Sequence, residues 1–224
     1  MNTSLCPASM VSRPRTGSSR WITTLAGILA TTLALSACAP LVIGGAVGTA
    51  LVATDRRTSG AQLEDQSIEL KAANRVQDAL GDSVHVNVNS YNRFALITGE
   101  VPNEADRQQV EQIVSHIENV KGVDNELAIL GTSSLSSRSN DVLIAAKVKA
   151  TFVDAKDIQS GAFKIVVERG IVYLMGIVTE READRASQLA ASVSGVQKVV
   201  RVMEIVSEAD LAGMQPPANA ASQP

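Results

Sequence analysis

Cysteine and histidine are nearly absent: the 224 residues contain two of each. Cys6 and Cys38 both fall early in the chain, and His85 and His116 stand in unrelated surroundings. A structural zinc site or a Cys–His nucleophile therefore has almost nothing to be made from, and no metal or cofactor is expected. Both histidines are expected to face solvent. Aromatic residues make up 3%, with one Trp, two Tyr and three Phe, too few to build stacking platforms for single-stranded nucleic acid or sugars. Positive charge is also scarce. The formal net charge is −3, and three of the basic residues, Arg13, Arg15 and Arg20, lie before position 38 in a segment without Asp or Glu. Without that segment the charge falls to about −6, which excludes a general affinity for nucleic acid. Glycine motifs that cradle phosphates are missing as well: neither GxGxxG nor GxxxxGK followed by Ser or Thr occurs.

What is present begins with a leader. Trp21 to Leu35 is an apolar run of 15 residues behind a polar, basic start. That is the length of a signal-peptide core, short of the roughly 20 residues that span a bilayer. Met10 is an alternative start that leaves the mature chain unchanged. Leu35-Ser36-Ala37-Cys38 follows and resembles the bacterial lipobox, which implies removal of residues 1–37 and acylation of Cys38. Ala39 stands where Asp would favour inner-membrane retention, so the resemblance implies the outer membrane, periplasmic face. Cleavage and acylation would leave no free thiol, excluding thiol redox chemistry. A single acyl chain binds a membrane marginally, and several hold it permanently. Residues 38–63 read as a lipidated tether. Its Leu41–Thr54 stretch is Gly-rich, with a GxxxG spacing at Gly44 and Gly48, and is too short to span. Arg56 and Arg57 just beyond it are expected to be free to touch headgroups.

Past the tether the chain repeats itself. In the first copy (64–131), Ile68, Ala72, Val76 and Leu80 stripe a helix, and Val84, Val86 and Val88 alternate with His85, Asn87 and Asn89 as a half-buried strand does. Tyr91-Asn92-Arg93 turns the chain, Phe94 to Val101 returns, Asn103 caps a helix carrying Ala105, Val110, Ile113, Val114 and Ile117, and Val120 to Leu130 closes the unit. A Ser-rich linker (132–140) leads to the second copy (141–207). There Ile144, Val148 and Phe152 stripe a helix, Phe163, Ile165 and Val167 alternate, and Arg169-Gly170 makes a two-residue hairpin turn before Ile171 to Val178. Thr179 and Glu182 form a capping box, Ala183, Ala186, Leu189, Ala190 and Val193 face inward, and Val196 to Val206 is the last strand. Residues 208–224, small, polar and Pro-bearing, read as a disordered tail. The fold class is α+β: two tandem α-β-β-α-β modules, each a three-stranded sheet covered by two helices. Gly99 and Gly176 recur at the same strand position and indicate a bulge or close backbone packing.

No nucleophile, base and orienting group assemble from these residues, so no enzyme is expected. Glu180, Glu182 and Asp184 occupy the first turn of a helix, where they complement its dipole. The cationic contrast between the copies is more informative. Arg138 to Arg169 carries six basic against four acidic residues, whereas Ser67 to Arg93 carries three of each. With Ile144, Val148 and Phe152 turned inward, Leu143, Lys147 and Ala150 share an outward strip beside Lys149. Lysines next to an apolar side chain suit an anionic phospholipid surface, phosphatidylglycerol or cardiolipin.

The sequences Leu96-Ile97-Thr98-Gly99-Glu100-Val101 and Tyr173-Leu174-Met175-Gly176-Ile177-Val178-Thr179-Glu180-Arg181-Glu182-Ala183, with Ser194-Gly195-Val196, resemble the dual-BON-domain periplasmic lipoproteins. The resemblance covers about residues 64–207 and is tighter in the second copy, since the first has Glu118-Asn119-Val120 where the small-Gly-Val sequence is expected. It implies a non-enzymatic, lipid-binding role in maintaining the envelope barrier, with recognition in the first helix of the second copy. Where relatives carry an aromatic residue there, this chain has Leu143. A rival reading makes the protein an adaptor whose first module or sheet edge binds an envelope-assembly protein.

Overall fold

The computed structural model describes residues 55–214. The leader, the lipobox cysteine Cys38, the tether stretch 41–54 and the end of the tail, 215–224, lie outside the described residues. The first module comprises α1 (Ser59–Leu80), β1 (His85–Tyr91), β2 (Phe94–Val101), α2 (Glu104–Ser115), β3 (Gly122–Asn125) and β4 (Ala128–Ile129). The second comprises α3 (Leu135–Asp154), β5 (Phe163–Glu168), β6 (Ile171–Val178), α4 (Glu180–Ala191) and β7 (Lys198–Ile205), followed by α5 (Glu208–Met214).

In each sheet the hairpin pair is antiparallel and the strand returning from the second helix pairs in parallel with the middle strand. β2 and β6 are therefore central, and their residues alternate between two buried faces. Ala95, Ile97 and Val101 join Ile68, Ala72, Val76, Val110 and Val114 in one core; Val172, Leu174 and Val178 join Ile144, Val148, Phe152 and Ala186 in another. The other face supplies a third core from Tyr91, Leu96, Tyr173, Met175 and Ile177, so the uncovered faces of the two sheets pack against each other with helices on the outside. A middle strand buried on both sides reads as a continuous apolar run, as Ile171–Val178 does, whereas Phe94–Val101 departs from it at Thr98 and Glu100.

The caps follow the sequence. Asn103 accepts from the Asp106 amide, and Thr179 and Glu182 form the capping box. Gly99 has φ 119°, and a Cβ there would stand 2.0 Å from the His85 carbonyl oxygen, so the strands approach too closely for any side chain. Gly176 is packed the same way against the Ala162 carbonyl at 2.6 Å.

Four expectations are corrected. The Ser-rich stretch is mostly helix, because Ser134 accepts from the Ser137 amide and starts α3 at Leu135. The tail is helical through Met214, held by Leu211, which is buried, and by Ser207, which caps it. The last strand of the first module is broken: Asn125 turns the chain by accepting from the Leu127 amide, and Leu127 drops into the core. Ala105 is exposed rather than inward, while Val110 and Val114 carry that face.

Candidate functional site

α3 buries Asp141, Ile144, Val148 and Phe152 at helical spacing, and this fixes what the opposite side presents. Phe152 meets the Phe163 ring edge to face at 5.3 Å, pinning the helix to its sheet. Leu143 is 60% exposed, and Lys147, Lys149 and Ala150 are exposed with it. Val142 and Val153, missed in the sequence reading, extend the apolar ridge, at 68% and 61%. Among the described residues Lys147 and Lys149 form no ion pair. α1, the equivalent helix, differs: its Lys71 is paired with Glu118 at 2.9 Å.

Buried aspartates orient both first helices. Asp141 accepts from the Arg169 and Gly170 amides at 2.9 and 2.8 Å; Asp65 accepts from Asn92 and Arg93 and from the Ser90 hydroxyl. Each aspartate thus holds the hairpin turn of its module, where Asn92, Arg93, Arg169 and Gly170 all have positive φ. Their matching place in the two copies was a legible signal that the sequence reading passed over.

The expectation that Arg56 and Arg57 touch headgroups is overturned. The Arg56 guanidinium is 5% exposed, grips both oxygens of Glu182 at 2.7 and 2.8 Å, and donates to the Ile177 carbonyl. Arg57 pairs with Asp55 and Asp65 and lies over the Tyr91 ring at 4.2 Å. Burial raises the Tyr91 hydroxyl to about 12, and that hydroxyl donates to the Ala162 carbonyl of the second module. A cleft of ≈ 580 Å³ lies between Asp55 and Arg57 on one side and Ala145, Ala146 and Lys149 on the other. The described residues therefore begin beside α3.

His85 is likewise not a free surface group. Its Nδ1 lies 2.9 Å from Glu100 Oε2 and 4.0 Å from Glu168 Oε1, at the junction of the modules. Burial pushes the Glu100 carboxyl up, and the Ser133 amide and His85 ring more than reverse it, leaving it below the usual carboxylate range. Burial holds Glu168 up, with the Asn87 amide offsetting part of the effect and the nearby Glu100 and Asp141 charges adding to it. His116 is exposed, as expected.

The BON domain model matches residues 65–131 and 140–207, more than half of the chain. The sequence is 37% identical over 183 residues to "Outer membrane lipoprotein DolP" of Haemophilus influenzae, covering 80% of this chain and 94% of that one. It is 28% identical over 154 residues to "21 kDa hemolysin" of Actinobacillus pleuropneumoniae, covering 68% and 79%. It is 24% identical over 145 residues to "Osmotically-inducible protein Y" of Escherichia coli, covering 61% and 70%.

Proposed function

Because the chain belongs to the BON-domain family, we propose that it is an outer-membrane lipoprotein, acylated at Cys38 and facing the periplasm, that recognises anionic phospholipid through α3 of its second module and supports the integrity of the membrane. The observation that carries this reading is the α3 ridge. It combines exposed Leu143, Ala150, Val142 and Val153 with Lys147 and Lys149, whose charges are not spent on acidic partners. The position of Asp55 beside Ala146 and Lys149 supports it too, since 17 residues from Cys38 to Asp55 reach at most about 60 Å and end on the side of the helix that meets the lipid. The anchor supplies attachment, so the helix contact selects the lipid and orients the body. No step of this function is catalytic.

Reversing Lys147 and Lys149 together to glutamate is expected to weaken binding to phosphatidylglycerol vesicles by about 30-fold or more, since each lysine near an anionic surface contributes about 1 kcal/mol and each reversal adds repulsion. Co-sedimentation of the unlipidated chain checks this, and Leu143→Asp should weaken binding in the same assay. Unchanged binding in the double variant would remove α3 as the site. The rival adaptor reading is favoured by Leu63 and Leu70 on α1, which are 69% and 65% exposed. It gains weight if vesicle binding is absent and a stoichiometric envelope protein is retrieved instead.

A further inference from the structure

Two carboxylates meet where the modules join. Glu100 projects from β2 of the first module and is fully buried; Glu168 ends β5 of the second and is 7% exposed. His85 of β1 stands between them, and one donor atom from each of the three lies within 4.8 Å of the others. Like charges this close and this buried need a counter-ion or a proton. The cation at hand is Arg169, whose guanidinium is 3.5 Å from Glu100 Oε1 and whose side chain is 40% exposed. Even with that neighbour, Glu100 Oε1 is a buried oxygen that accepts no hydrogen bond. The carboxylate's other oxygen, Oε2, faces the His85 imidazole with Glu168 beyond it and takes the Ser133 amide, so Glu100 offers one hydrogen-bonded and one unpartnered oxygen to an imidazole–carboxylate pair, an arrangement that a metal ion satisfies.

We propose that His85, Glu100 and Glu168 form a divalent-cation site that bridges the two modules and prefers Zn²⁺. Zinc holds imidazole nitrogen and carboxylate oxygen at about 2.0–2.2 Å, which places neighbouring donors in a tetrahedral shell roughly 3.3 Å apart. The observed 2.9 Å from His85 Nδ1 to Glu100 and 4.0 Å to Glu168 bracket that separation, so small side-chain rotations bring three donors to one ion, with water as the fourth ligand. Asn87 donates to Glu168 Oε2 at 3.0 Å and so holds that carboxylate in place. A cleft of ≈ 470 Å³ lined by Gln66, Leu70, Asn87, Val88 and Glu168 leads to the carboxylate from solvent. Mg²⁺ and Ca²⁺ favour six or more oxygens and find too few here. The scarcity of histidine that argued against a metal in the sequence is met by carboxylates from two different modules, a constellation invisible until the sheets face each other. With ligands on both modules, the ion would fix their relative orientation.

The test uses the unlipidated chain from Ala39 to Pro224, stripped with a chelator and titrated with ZnCl₂ or MgCl₂ by calorimetry and thermal denaturation. The expected result is one Zn²⁺ per chain, a raised melting temperature, and little response to Mg²⁺. His85→Gln and Glu168→Gln should each weaken Zn²⁺ binding by at least about tenfold. His116→Gln, at the exposed histidine, should leave it unchanged, and Arg169→Gln should leave it unchanged or tighten it. Absence of binding, binding that survives both His85→Gln and Glu168→Gln in folded protein, or binding lost with His116→Gln would overturn the site.

Discussion

Replacing Arg56 by alanine is expected to destabilise the protein by about 3–5 kcal/mol, the cost of stranding a buried charge. Glu182 keeps its place in the capping box but loses the guanidinium that grips both of its oxygens, in a pocket where the two side chains are 5% and 6% exposed. For a folded body of this size the melting temperature should fall by roughly 10 °C. The pH dependence separates a lost ion pair from a lost contact. Burial pushes the Glu182 carboxyl up, and Arg56 and the Thr179 amide more than reverse it, holding it below 4.5. A carboxyl depressed on folding contributes stability that is present above its unfolded value and lost as pH falls through the folded one. The gap between the parent protein and Arg56→Ala should therefore be widest at neutral pH and narrow progressively below about pH 4.5. The double variant Arg56→Met with Glu182→Gln should recover much of the loss, because it removes both charges and keeps the cap. Denaturant melts at several pH values read all three outcomes; a gap that stays constant into acid would contradict the account.

Phe152→Ala is expected to cost a further-reaching 3–5 kcal/mol, roughly the range for deleting a buried aromatic side chain. The ring is wholly buried, closes the second core beneath α3 and stands edge-on to Phe163. Its removal leaves a cavity under the last turns of the helix that displays Lys147, Lys149 and Ala150. Stability and vesicle affinity should fall together in this variant, whereas Lys147→Glu with Lys149→Glu should lower affinity at unchanged stability. Thermal denaturation alongside co-sedimentation distinguishes the two kinds of effect. A Phe152→Ala protein that melts like the parent would show that the core is not organised around this ring.

Most helices and strands were legible because each carries a periodic apolar face or a local cap. The four-residue spacing of Ile68, Ala72 and Val76, the capping residues Asn103 and Thr179, and the glycines at 99 and 176 all act locally, and the structure places them as read. The outward side of α3 was legible for the same reason: once Ile144, Val148 and Phe152 are turned inward, geometry leaves Leu143 and Lys147 outside. What escaped depends on contacts distant in sequence. Arg56 meets Glu182 126 positions later, and nothing near Arg56 announces it. Thr98 and Glu100 look like the wet side of an alternating strand, yet both are fully buried because a second sheet covers them. His85 was assigned to solvent on that same logic. The helix at 208–214 is only two turns long, contains Gly, and is held by one buried side chain, Leu211.

The central claim, that the second module recognises anionic lipid apart from any anchor, is tested most directly by co-sedimenting the unlipidated chain with phosphatidylglycerol vesicles and, separately, with phosphatidylcholine vesicles. The chain must retain Asp55, Arg56 and Arg57, since these residues are part of the folded body. The account predicts binding to the anionic vesicles that weakens as salt rises, and little to the zwitterionic ones. Binding to neither, or equal binding to both without salt dependence, would contradict it.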